Sequence, residues 1–111
     1  MNNKKLPECP EEGRLPIDLY ETEDEIVLRT VVAGVDQNEI DISINNDMVT
    51  IRGERKEPEI VGEDDYIKHE CYWGTFSRTC VLPSNVDIDN AAANFDDKGI
   101  LIIRFPKKGD K

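Results

Sequence analysis

Apolar and polar residues alternate with a period of two along most of this chain. Leu15, Ile17 and Leu19 alternate with Pro16, Asp18 and Tyr20, which predicts a first strand. A polar turn, "ETEDE", separates it from "IVLRTVVA" (26–33), a run rich in β-branched residues that suit a pleated surface. Gly34 breaks that run, and Asp36 and Glu39 have the spacing of a capping box, which predicts one helical turn. In "EIDISIN", Ile40, Ile42 and Ile44 share one face while Asp41 and Ser43 take the other. Asn46 and Asp47 supply turn chemistry, and "MVTIRGER" (48–55) returns as the second arm of a hairpin.

The pattern then lapses. Residues 56–68, "KEPEIVGEDDYIK", hold Pro58, Gly62 and five acids around two small apolar islands, Ile60-Val61 and Tyr66-Ile67. This predicts a long mobile loop, and loops of this length in small domains are usually functional. "ECYWGTFSRTCVLP" (70–83) predicts a long strand with Phe76, Cys80 and Leu82 on one face and a bulge at Gly74. "NVDIDNAAANFDDKG" (85–99) reads two ways. Ala91, Ala92 and Ala93 favour helix by propensity, whereas Ala91, Ala93 and Phe95 fit one face of a short strand. Asp97, Lys98 and Gly99 form a turn into the last strand, "ILIIRF", which Pro106 ends. Seven or eight short strands with turns at this spacing predict an all-β fold, an antiparallel immunoglobulin-like β-sandwich.

A length of 111 residues suggests a single domain. Its 24 acids against 14 bases give a net charge of −10, which repels phosphates and anionic headgroups, so neither nucleic acid nor membrane is an expected partner. Two lysines near the N-terminus precede no apolar stretch, so the start does not read as a secretory signal, and no segment is long enough to cross a bilayer. Three cysteines, an odd number, argue against a disulfide framework and for a reducing, cytoplasmic setting. Residues 1–14 read as a short disordered arm.

Candidate chemistry is sparse. There is no phosphate-cradling loop and no nucleophile elbow, and a single histidine leaves most catalytic triads and polyhistidine metal sites unavailable. His69, Cys71 and Cys80 fall short of the four ligands a tetrahedral zinc site wants. No catalytic residue, metal ligand or cofactor is therefore expected, and no enzymatic activity. Cys80 reads as a small core residue, and Cys9 as an exposed thiol that nothing activates.

Four stretches together resemble the α-crystallin domain of small heat shock proteins: "LPIDLYETEDEIVLRTVVAGVDQNEIDISI", "MVTIRGERK", "WGTFSRTCVLPSNVD" and "AAANFDDKGILIIRFPK". The likeness covers residues 15–107 in the family's order. Its most specific part is an alanine, a short spacer, Gly99-Ile100-Leu101, and alternation to Pro106-Lys107. Ala33-Gly34 stands where the family usually has proline-glycine, a small loss of turn rigidity.

The resemblance implies an ATP-independent holdase that binds partly unfolded clients. It also implies a strand rather than a helix around residues 91–96, and a long loop holding a strand exchanged between the subunits of a homodimer. A co-chaperone or scaffold domain of the same fold, binding one folded partner, is the alternative. The expected client groove lies between the edges of the two sheets, with Ile40, Ile42 and Ile44 on one wall and Ala91, Ala93 and Phe95 on the other. The competing assignment makes all six plain core residues. The expected dimer contact takes Leu15, Ile17 and Leu19 from the first strand, Ile60, Val61, Tyr66 and Ile67 from the loop, and Arg78. That arginine stands on an otherwise apolar face and, if buried, needs a carboxylate partner. Family members usually carry a long N-terminal arm and a C-terminal tail with an Ile-x-Ile anchor, so residues 108–111 read as a truncated tail.

Overall fold

The alternating segments form two antiparallel sheets in the computed structural model, which describes residues 15–109. The arm read over residues 1–14, with Cys9, and the last two residues of the tail lie outside the described residues. One sheet has the order β1 (Ile17–Glu21), β2 (Glu25–Val31), β7 (Ile100–Pro106), β6 (Ala92–Phe95). The other has the order β3 (Asp41–Asn45), β4 (Met48–Arg55), β5 (Gly74–Val81). Seven strands among the described residues make the sandwich that the spacing of turns predicts.

Register explains which side chains meet. Leu28 stands opposite Ile103 and Ile26 opposite Phe105, and all four are buried on the inner face. From the other sheet, Val49, Ile51 and Phe76 enter the same core. Burying a side chain of this size contributes about 1.5–3 kcal/mol, so these few positions carry much of the stability. At Val27, β2 is buried on its outer face as well, although Arg29 and Val31 on that face are exposed. Val27, flanked in register by Tyr20 and Arg104, is fully covered, and the Arg29 guanidinium lies 5.3 Å from the centre of the Tyr20 ring. Long charged side chains thus roof a central strand whose sequence reads as one continuous apolar run.

Turn chemistry closes the sheets where the sequence places it. Asn46, in the β3–β4 turn, has φ 59°, a left-handed conformation that asparagine tolerates. A 3-10 turn, Gln37–Glu39, forms after Asp36, whose carboxylate accepts from the Asn38 amide at 3.0 Å. The reciprocal half of the expected capping box is replaced by an ion pair, because Glu39 meets the Lys56 ammonium at 3.2 Å.

Two expectations over residues 70–83 need correction. The strand starts at Gly74, not at Glu70, because the Tyr72 hydroxyl folds back onto the Thr75 carbonyl and Gly74 takes φ 140°. No bulge forms there either, since Gly74 to Val81 pair without interruption from Arg55 to Met48. Glycine is needed because a Cβ would lie 2.9 Å from the Tyr72 hydroxyl at a backbone angle that side chains disfavour. The ambiguous stretch resolves as a 3-10 turn, Ile88–Asn90, followed by β6. Pairing with β7 overrides the helical propensity of the alanines.

Asp96 organises the β6–β7 turn. Its carboxylate accepts from the amides of Lys98 and Ile100, each at 2.9 Å, and these bonds, Ile100's foremost, hold its pKa below the usual carboxylate range. A depressed pKa in the folded state means the contribution is present above the unfolded value, near 3.8, and is lost as pH falls through the folded one. Asp96→Ala should therefore lower the melting temperature at pH 7, and the gap to the native protein should close in melts taken below the unfolded value. A gap that stays constant down to pH 2 would show that the charge does not matter.

Candidate functional site

β3 and β6 are the outermost strands of facing sheets, and each lacks a strand partner on one side. An unpaired edge offers a row of N–H and C=O groups, and between two such edges a sandwich is open. The alternation of β3 puts Ile42 and Ile44 on its inner side, opposite Ile51 and Val49. Both, with Ile40, are half-buried and pack against the core. On β6, Phe95 faces inward opposite Leu101, and Ala93 opposite Ile103. Phe95 and Ala91 are half-buried against the core, whereas Ala93 is exposed even though its neighbour in register is 1% exposed. The inner face of β6 is thus covered at Phe95 and open at Ala93.

The six groove residues therefore divide. Five share in the core, as the competing assignment has it, and keep partial exposure along the rim; Ala93 alone is fully on the surface. Ile88, just before β6, also packs partly exposed against the core and extends this line. Its spacing of three from Ala91 was a signal that sequence reasoning passed over.

The residues read as a dimer contact lie at the opposite edge. Leu19 is 40% exposed on β1, itself an edge strand, and Ile17 is half-buried against the core. Leu15, the first residue named for this contact, is 2% exposed and packs its side chain in the core, which leaves its backbone as what it would bring to such a contact. The loop between β4 and β5 contains one 3-10 turn, Glu63–Asp65, and no strand. Ile60 is 90% and Ile67 98% exposed, and Val61 is exposed as well.

Within the loop the Tyr66 hydroxyl donates to the Glu57 carboxylate, and the His69 ring stacks on Tyr66 with centroids 3.7 Å apart and planes 3° from parallel. The bond to Glu57, with burial second, pushes the Tyr66 pKa up to about 12. This brace ties the two ends of the loop together and was not legible in the sequence, since nothing in the spacing pairs residues 57, 66 and 69.

Arg78 is half-buried on the inner face, opposite Ile51, and its Nη1 donates to the Leu15 carbonyl at 3.2 Å. It ties β5 to the backbone leading into β1. A hydrogen bond from a charged donor contributes about 1.5–3 kcal/mol, so Arg78→Gly should cost at least that much in urea denaturation. An unchanged midpoint would mean that the contact is inert. Among the described residues no group of three or more His, Cys, Asp or Glu side chains could hold a metal ion, and no helix is long and apolar enough to cross a membrane.

A sandwich with two opposed open edges and a long unpaired loop is matched by one family model, that of the Hsp20/alpha crystallin family, over residues 18–111. This chain belongs to that family. The Hsp20 match extends to individual proteins. Small heat shock protein C4 of Rickettsia felis is 42% identical over 91 residues, covering 82% of this chain and 55% of that protein. The chloroplastic small heat shock protein of Solanum lycopersicum is 34% identical over 100 residues, covering 86% of this chain and 40% of that protein. This Hsp20 chain spans about half the length of the first curated relatives it matches.

Solved structures agree. A small heat-shock protein from Xylella fastidiosa superposes with a TM-score of 0.78 at 27% identity, covering 87% of this chain and 88% of that one. The hspA protein of Xanthomonas axonopodis does so with 0.77 at 29%, covering 86% and 95%. The sandwich is therefore the α-crystallin fold.

Proposed function

We infer that this domain is an ATP-independent holdase, which binds partly unfolded proteins and keeps them from aggregating. The observation that carries the reading is the pair of unpaired strand edges, β3 and β6, which bear half-buried isoleucines and the exposed Ala93. An extended client segment gains main-chain hydrogen bonds from such edges and apolar contact from the residues between them. Preferential binding of unfolded states shifts folding equilibria by mass action and requires no nucleotide and no catalytic group. Its net charge of −10 keeps a surface with apolar openings soluble and repels other polyanions, which supports protein clients over nucleic acid or membrane, and its odd number of cysteines supports a reducing, cytoplasmic setting.

The working unit is a homodimer built by exchange of the loop strand. Ile60, Val61, Tyr66 and Ile67 of one copy pair along Ile17 and Leu19 of the other, with Arg78 behind them. The free edge of β1 and the exposure of Ile60 and Ile67 support this arrangement.

The test is light scattering from a heat-labile client, without ATP, at increasing molar ratios of this protein. Scattering should fall in proportion to the protein added. Undiminished scattering at several-fold molar excess across several clients would overturn the holdase reading.

A further inference from the structure

The loop between β4 and β5 is held closed by its own side chains. The Tyr66 hydroxyl donates to the Glu57 carboxylate, and the His69 ring lies over Tyr66 with centroids 3.7 Å apart. Between the two ends of this brace the chain turns back on itself. The Asp65 amide donates to the Gly62 carbonyl at 2.9 Å and closes the 3-10 turn Glu63–Asp65. Glu57 and Tyr66 are half-buried, whereas Ile60 and Ile67 stand 90% and 98% exposed. The brace shelters two polar side chains and leaves two isoleucines in water.

This closed form is not the one that can add a strand to a partner. A β-strand advances about 3.3 Å per residue, so a segment laid straight from residue 57 to residue 66 spans roughly 30 Å, more than the two side chains can bridge. The hydrogen bond between them needs the folded-back path. The 3-10 turn lies inside the same segment and must unwind as well, because its amide-to-carbonyl bond has no place in an extended strand.

We propose that the Glu57–Tyr66–His69 contact is an autoinhibitory latch, which holds the loop on its own subunit and must open in both copies before the exchanged strand forms. The inference rests on the strand-exchange reading under Proposed function. A protein whose competent form is only fractionally populated binds more weakly by that fraction. Two-fold symmetry makes the fraction enter the dimer Kd twice, once for each copy. A partly buried hydrogen bond or a ring stack biases such an opening by roughly three- to fivefold. Losing either should therefore tighten the dimer roughly ten- to twentyfold.

Sedimentation velocity over a concentration series of the full chain compares the native protein with Glu57→Ala and His69→Ala. Neither residue belongs to the set that pairs along the partner, so neither change removes an interface contact. Each variant should lower the dimer Kd roughly ten- to twentyfold. Glu59→Ala removes the same charge as Glu57→Ala from an exposed position outside the brace, and should leave Kd within about twofold. NMR gives a second readout, because His69 is the one histidine of the chain and its ring protons are resolved from the rest. Stacked on Tyr66 in the monomer, they lie upfield of their ordinary position, and they should move back as rising concentration forms the dimer.

An unchanged or weaker dimer in either brace variant would overturn the latch and leave strand exchange standing. Equal tightening by Glu59→Ala would do the same, since relief of charge repulsion would then explain the effect. A His69 signal that stays shifted in the dimer would also overturn the latch, because the brace and the exchanged strand would then coexist. If the native chain and both variants all remain monomers, strand exchange itself is overturned and the latch falls with it.

Discussion

Gly99→Ala is expected to cost about 3–5 kcal/mol, the sum of a strained backbone and an overpacked contact. Gly99 has φ 85°, in the left-handed region where a side chain carries a penalty. A Cβ there would lie 2.7 Å from the Ala33 Cα, 2.9 Å from its Cβ and 3.1 Å from its nitrogen. Two of those three neighbours are backbone, which cannot turn aside as a side chain can. Nor can the strands separate freely, because the Val32 amide donates to the Gly99 carbonyl at 2.7 Å. Small domains are stable by only about 5–15 kcal/mol, so this one methyl group removes a large part of the total. Urea denaturation checks it, with Gly109→Ala as the control, since a Cβ on Gly109 meets nothing within 4 Å. Equal midpoints for the two variants would show that the turn yields easily and that Gly99 is not required.

Deleting residues 57–65 should convert the protein from dimer to monomer without unfolding it. The deleted stretch contributes no strand to either sheet of its own subunit, so the sandwich survives its loss. What disappears is Ile60, Val61 and the Glu57 anchor that braces Tyr66. Edge pairing supplies main-chain hydrogen bonds from every second residue, and two-fold symmetry makes each contact twice. In the proposed homodimer both copies would lose the exchanged segment together, so dissociation should be complete at micromolar concentration. Sedimentation velocity measures the state, and circular dichroism confirms that the β signal is retained. A native chain that sediments as a monomer, or a deletion variant that remains dimeric, would dispose of strand exchange.

Much of the sandwich was legible because a strand buried on one face must alternate. Ile42 and Ile44 inward with Asp41 and Ser43 outward, and Leu101, Ile103 and Phe105 buried in turn, follow from a period of two. Turn residues were equally readable where local chemistry suffices, as at Asn46 and Asp96. Strand boundaries were less so. The start of β5 depends on Tyr72 reaching back to Thr75, and periodicity carries no trace of that contact. β6 was undecidable locally because three alanines carry no bulk to favour either state, and only the presence of β7 beside them decided it.

Alternation and turn residues in the sequence alone determined that this is an antiparallel sandwich, which faces its strands bury, and that residues 56–68 stand apart from it. Tertiary structure decided everything that depends on which strands end a sheet. Leu15 reads like Ile17 and Leu19 in a list of alternating residues, yet it is buried while Leu19 is open, because Leu15 joins the inter-sheet core. Ala93 is exposed only because β6 is the last strand of its sheet. Asp47, Asp87 and Asp89 line one cavity only because chain segments some forty residues apart in sequence are brought together by the fold. Local periodicity encodes a residue's face, but its exposure depends on what the other sheet covers, and that is a property of the whole packed chain.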